Sequence, residues 1–504
     1  MKKLCCLLGM LVMSNMYGEL KLLPIFSDNM VLQRDIPAPV WGVAGPSEKV
    51  TVKFKNQEKS VTTETDGKWM IRLEPMKASS EPCELIVSCS ITNQQMKIKN
   101  VLVGDVWLCS GQSNMGCTFG EPQNADEKVK DADNPQIRLT SGDKWSLCNT
   151  ANLQSFSRVG YYFGLKLWNE LQVPIGLVNI SCGCSSIETW MTPESLAAND
   201  SLIDANGCNL LAEMKNFQKF YSNYKRCSAE EKERVFLEHC KSNYTFARGY
   251  LKDGKPMPDK YDNIMWHMTV VKPAFLYNSR IAPVIPFGIK GVIWYQGETN
   301  VNDQQYALKQ QILIESWRKL WEEGDFPFYI VQIAPFKGYP ALPAFWLEQY
   351  EAVLKTKKTG LVSTVDIGDI NEVHPKNKHD VGMRLALLAL RDAYGRQDVV
   401  ASGLIYKSAR ITGNKIVIAF NNIGSGLTTK DGQVPNWFEV AAADKKFVKA
   451  VAAIQDDTLV ITSPIENTVY VRYAWNHIAV PNLCNKEGLP AFPFNNAEQF
   501  FQQR

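Results

Sequence analysis

From residue 19 to about 100, apolar positions come in short alternating runs, at 40–43, 49–54 and 69–73, broken by Ala44-Gly45-Pro46 and Asp66-Gly67. Alternation at period two between turn residues predicts β-strands, and no helical period crosses this section. A small β-sandwich is what such strands build. From about 104 the pattern changes to unbroken apolar runs that alternate with helix-period segments. Strands are expected at 105–109, 173–180, 289–295, 328–333 and 360–365, and helices at 155–171, 304–321 and 375–392. Apolar strands separated by helices predict a parallel sheet covered on both faces, with functional residues at the carboxyl ends of the strands. Residues 200–260 interrupt the alternation with a polar, Lys/Glu-rich stretch, expected to be a helical insertion over one edge. From about 400 the β-pattern returns, at 415–420, 458–461 and 469–473.

The chain therefore divides into a β-rich section (19–100), an α/β section (101–398, with the insertion) and a second β-rich section (399–504). Its 504 residues exceed what a single core serves. Residues 1–18 read differently. Met1-Lys2-Lys3 is followed by an apolar run at 4–13, and about ten residues is half of what a membrane-spanning helix needs. This predicts an export signal, hence a periplasmic or extracellular protein with no membrane span once the signal is removed. With 45% hydrophobic and 21% charged residues the chain has the make-up of a folded protein, which excludes disorder. A formal charge of +3, with no basic run interleaved with aromatics, excludes nucleic acid as a partner. The thirteen cysteines show no paired CxxC pattern, and Cys182 and Cys184 alone make a poor zinc site, so no metal is expected.

Four loops that follow predicted strands hold the candidate chemistry. In Cys109-Ser110-Gly111-Gln112-Ser113-Asn114-Met115 a tight turn can present the Ser113 hydroxyl at the sheet edge, its amides facing a developing oxyanion. A serine nucleophile needs an imidazole beside it, and the chain has five histidines: His239, His267, His374, His379 and His477. Of these, only His374 follows a core strand, in Asp366-Ile367-Gly368-Asp369-Ile370-Asn371-Glu372-Val373-His374-Pro375, with a helix expected directly after it. The acids before it can orient and charge-stabilise the ring. In Trp294-Tyr295-Gln296-Gly297-Glu298-Thr299-Asn300 the Gln296 amide is placed to complete an oxyanion hole, and in Ser181-Cys182-Gly183-Cys184 the glycine lets backbone approach a substrate. Taken singly, each block also reads as an ordinary strand-to-helix connection.

Together the blocks resemble the sialate O-acetylesterase family of SGNH (GDSL-like) hydrolases. The resemblance rests on Gly-Gln-Ser-Asn-Met, on Ile187-Glu188-Thr189-Trp190, on Trp-Tyr-Gln-Gly-Glu, and on Asp-x-x-Asp before His-Pro-Lys-Asn-Lys. Met30-Val31-Leu32-Gln33-Arg34 and Asn485-Lys486-Glu487-Gly488-Leu489-Pro490 extend it to both ends. It implies an α/β, flavodoxin-like catalytic sheet with β-sandwich-like sections from both ends of the chain, and neither metal nor organic cofactor. It implies Ser113 as nucleophile and His374 as base, with the Ser113 amide, the Gly183 amide and the Gln296 side chain stabilising the oxyanion. The substrate implied is an O-acetylated sugar, 9-O-acetyl sialic acid foremost. Acetylated xylan or another glycan is the alternative, and a non-catalytic carbohydrate-binding protein a further one. Two positions depart from the pattern. Asn371 stands where many SGNH enzymes carry the triad aspartate, leaving Asp366, Asp369, Glu372 or a backbone carbonyl to orient the ring, with Asp369 preferred. Gly183-Cys184 stands where the family often has two glycines. Cys184 can also be read as a nucleophile, but no histidine lies near it in sequence.

Overall fold

The computed structural model describes residues 18–121, 132–228, 231, 232, 235 and 269–498. The body of the expected export signal, much of the insertion, His239 and His267 lie outside the described residues.

One strand organises the molecule. Gln95–Gly111 begins with buried and exposed positions mixed, and from residue 101 onward every position is buried. Its first half belongs to the N-terminal β-section, pairing antiparallel with Ser79–Cys89 and parallel with Val31–Gln33. Its second half lies in a parallel sheet between Ile175–Ser181 and Gly291–Tyr295. Charged Lys97 and Lys99 alternating with apolar neighbours suit the half with a solvated face. The unbroken run Val101-Leu102-Val103 onward suits the half covered on both sides. A single strand thus crosses the position where the sequence suggested a boundary.

The parallel sheet runs in the order Ile175–Ser181, Gln95–Gly111, Gly291–Tyr295, Phe328–Val331, Thr359–Val362. In chain order this is 2-1-3-4-5, the flavodoxin-like doubly wound arrangement, with Asn134–Thr140 and antiparallel Ser146–Cys148 added outside the second strand. Alternation along the strands sends Trp107 and Tyr329 to one face, against Phe163 of the helix Arg158–Leu171. Trp294 and Phe328 go to the other, against Trp317 of the helix Tyr306–Trp321. Each such aromatic pair is worth about 1 kcal/mol beyond the area it buries. The crevice between the first and third strands, where the winding changes direction, is where such sheets place ligands.

Both β-sections are tied to this sheet by buried charge. Arg34 grips Asp105 with two hydrogen bonds of 2.9 Å, and Gln33 adds one of 3.1 Å. The C-terminal section consists mainly of two four-stranded antiparallel sheets. Between them Phe494 stacks on Tyr406 and Tyr473, and Lys430 reaches Asp366 at 3.4 Å. The last helix of the catalytic section starts at His379, four residues later than its sequence suggests. Asn377 causes the delay: its Oδ1 accepts from the Asp380 amide at 3.0 Å and its Nδ2 donates to the Asp380 carboxylate. Among the described residues no helix is long and apolar enough to cross a membrane.

Candidate active site

The first strand ends in a turn that only glycine can make. Gly111 has φ +129°, and a Cβ there would lie 2.2 Å from the Tyr295 carbonyl oxygen. That carbonyl instead accepts from the Gln112 amide at 2.9 Å. One helical turn follows, Ser113–Gly116, and Ser157 holds it by donating to the Met115 carbonyl at 2.6 Å. Ser113 is thereby raised at the crevice between the first and third strands.

The loop after Thr359–Val362 brings His374 across. Its Nε2 lies 2.8 Å from Ser113 Oγ. Burial lowers the His374 pKa, and the Lys378 charge adds to the effect against the opposing pull of Glu372 and Glu121. The imidazole is therefore neutral at neutral pH and ready to take a proton.

The acids before the histidine have separate tasks. Asp366 is clamped by Arg384 through two contacts of 2.7 Å and anchors the loop. Asp369, the acid preferred from sequence, does not reach the ring: its Oδ1 accepts from the Asn371 amide at 2.9 Å and shapes the turn. Glu372 is the acid that the structure brings to His374. Its Oε1 accepts from the His374 amide at 3.0 Å and stands 4.0 Å from Nδ1. That is a charge contact, too long for a hydrogen bond.

Residues that sequence reasoning assigned no role join the Ser113 turn to the His374 loop. Asn114 Nδ2 donates to the Val373 carbonyl at 3.0 Å and to Glu298 Oε1 at 2.5 Å, while its Oδ1 accepts from Lys378 Nζ at 2.5 Å. Lys378 also donates to the Pro375 carbonyl at 2.8 Å. Burial raises the Glu298 pKa, and its other oxygen is buried with no partner among the described residues. Burial lowers that of Lys378. The only signal was a surplus of polar residues in Gly-Gln-Ser-Asn and His-Pro-Lys-Asn-Lys beyond what catalysis requires.

The oxyanion donors sort differently from expectation. The Cys182 amide donates to the Gly111 carbonyl at 3.0 Å, which draws the Gly183-Cys184 turn beside Ser113. Among the described residues neither the Ser113 nor the Gly183 amide has a protein acceptor. Gln296 lies behind the site rather than in it. It is fully buried, and its Nε2 donates to the Ser185 carbonyl at 3.1 Å and to Asn300 Oδ1 at 2.8 Å. An amide nitrogen carries two hydrogens, so none remains for an oxyanion. Beneath it Asn300 joins a buried ionic group in which Lys309 Nζ lies 2.6 Å from both Glu188 and Asp303. Burial opposes the Glu188 charge, yet Lys309 outweighs it and holds that pKa below the usual range, while Asp303 is pushed up by burial. Glu188 and Asn300 thus support the loop that follows the Gly183-Cys184 turn, where Asn300 Oδ1 accepts from the Ile187 amide at 3.0 Å. Cys184 is exposed with φ +59°, bonds to no histidine among the described residues, and occupies a conformation suited to glycine. No group of three potential metal ligands occurs among the described residues.

A serine and a neutral imidazole in contact at the switch point of a 2-1-3-4-5 sheet, beside two open amides, define a serine hydrolase of the SGNH type. The family described as "Carbohydrate esterase, sialic acid-specific acetylesterase" matches residues 103–208 and 259–391. A carbohydrate acetylesterase from Xanthomonas citri superposes with a TM-score of 0.76 at 31% identity, over 94% of this chain and 99% of its own. The sialate O-acetylesterase of Mus musculus is 28% identical over 89% of this chain and 88% of its own length. That of Homo sapiens is 26% identical over 93% and 91%. The chain belongs to this carbohydrate esterase family, and is a carboxylic ester hydrolase.

Proposed function

We propose that the chain removes O-acetyl groups from sialic acids, the 9-O-acetyl group foremost, through an acetyl-enzyme on Ser113. Ser113 Oγ attacks the acetyl carbonyl while His374 Nε2 takes its proton. The Ser113 and Gly183 amides receive the negative oxygen, and losing one such donor typically costs about 3 kcal/mol of transition-state stabilisation. His374 returns the proton to the departing sugar hydroxyl, then activates the water that hydrolyses the acetyl-enzyme. Glu372 supports the transient imidazolium by charge. The observation that carries this reading is the 2.8 Å contact between Ser113 Oγ and His374 Nε2. The basic start and apolar run of residues 1–13 support export, to where acetylated glycans are met.

A second reading, an acetylated xylan or another neutral glycan as substrate, is favoured by Phe336 and Tyr339, a half-buried edge-to-face pair on the loop after the fourth strand. Sugar rings stack on such surfaces. Acetate release by wild type and Ser113→Ala on 9-O-acetylated sialic acid, acetylated xylan and an aryl acetate separates the readings. Fast release from the sialic acid by wild type alone supports the proposal. Faster release from xylan keeps the mechanism and changes the substrate, and an active Ser113→Ala overturns the mechanism.

A further inference from the structure

A sialic acid differs from a neutral sugar in its carboxylate, held on the anomeric carbon on one side of the ring oxygen, while the glycerol tail that carries the 9-O-acetyl group leaves from the other side. An enzyme that acts on that tail gains selectivity by placing a forked cation about the length of the tail from its nucleophile. We propose that Arg280 is this cation, and that the surface beside Ser181 is a carboxylate subsite. The inference rests on the sialic acid reading above.

Arg280 sits in Tyr277–Ile281, a single turn of π-helix, an irregularity common at functional sites. Buried Tyr277 and Ile281 fix the turn, while Arg280 faces outward. Its Nη1 donates to the Ser181 carbonyl at 3.2 Å. Ser181 ends the strand beside the first and is in register with Gly111. It also touches the nucleophile's turn, because a Cβ on Gly116 would lie 3.0 Å from Ser181 Oγ. The oxyanion turn begins at the next residue, Cys182, whose thiol feels the Arg280 charge. Arg280 is therefore one residue from each half of the catalytic centre. Among the described residues, Arg34, Arg72, Arg384, Arg391, Arg396 and Arg472 are spent on carboxylates. Arg280 forms no ion pair there. One hydrogen of its guanidinium is used to anchor it, and four remain for a ligand.

Wild type, Arg280→Ala and Arg280→Lys should be compared on 9-O-acetylated sialic acid and on its uncharged carboxamide, with thermal unfolding to check the fold. Wild type is expected to favour the acid by roughly 10- to 100-fold in kcat/KM, the worth of charge-assisted hydrogen bonds. Arg280→Ala should bring the ratio close to one, mainly through KM, and Arg280→Lys should fall between. A folded Arg280→Ala that keeps the wild-type ratio overturns the subsite, as does a wild type that treats acid and carboxamide alike while releasing acetate from both. Release from neither by wild type overturns the sialic acid reading itself.

Discussion

The Asn114 side chain donates to the Val373 carbonyl at 3.0 Å, so the residue after Ser113 holds the residue before His374. Two loops from opposite ends of the α/β section are thereby joined beside the 2.8 Å Ser113–His374 contact. Asn114→Ala should lower kcat by about 10- to 100-fold with little change in KM, because a displacement near 1 Å at reacting groups costs about that much. Steady-state kinetics on an aryl acetate would measure it, and a normal kcat would show that the two loops hold their places unaided.

Glu372 and Asp369 make separable predictions. Glu372→Gln keeps an acceptor for the His374 amide but removes the charge 4.0 Å from Nδ1. Because Glu372 raises the His374 pKa against the dominant lowering by burial, its neutralisation should move the acid limb of kcat/KM to lower pH. In wild type that limb should already lie below pH 6.5. With both groups partly exposed, the loss in kcat should stay near tenfold or less, far from that of a buried triad acid. Asp369→Asn, which leaves His374 untouched, should leave the limb where it is. A pH–rate profile of both variants decides the matter, and a larger effect from Asp369 would reverse these roles.

Glu298 bears on stability. Burial raises its pKa above 4.5, so over the range between those values the folded chain holds a proton that the unfolded chain has released. Its contribution to stability is fully present below pH 4.5 and is lost as pH rises through the folded value. Glu298→Gln, which still accepts from Asn114, should therefore gain on wild type in thermal unfolding as pH increases. An equal difference at every pH would mean that Glu298 is ionised in the fold.

Cys184→Gly should relieve a left-handed residue. The conformation costs a residue with a Cβ roughly 1–2 kcal/mol, partly offset by the greater entropy that glycine loses on folding. Unfolding should show no loss and a gain of up to about 1 kcal/mol, with acetate release retained. Loss of activity would instead give the thiol a part in the reaction.

Much of this fold was legible because its strands are short, apolar and bounded by turn residues. The sequence pattern for 49–54 coincides with the strand Lys49–Phe54. Gln95–Gly111 was visible only in its covered half, since Lys97 and Lys99 disguise the rest as surface. Ser113 and His374 were legible as candidates on strand-to-helix loops, and the structure brings them within 2.8 Å of each other. Gln296, Glu188 and Lys309 were not, because composition alone does not tell a polar side chain that faces substrate from one that satisfies buried neighbours. Lys309, fully buried, reads in sequence as the wet side of an amphipathic helix.

The strand Gln95–Gly111 also limits how such a chain can be taken apart. Cutting at residue 100 removes no detachable module: it severs the strand that leads to Ser113 and strips the Arg34 grip from Asp105. The N-terminal β-section and the turn that presents Ser113 thus share one continuous strand.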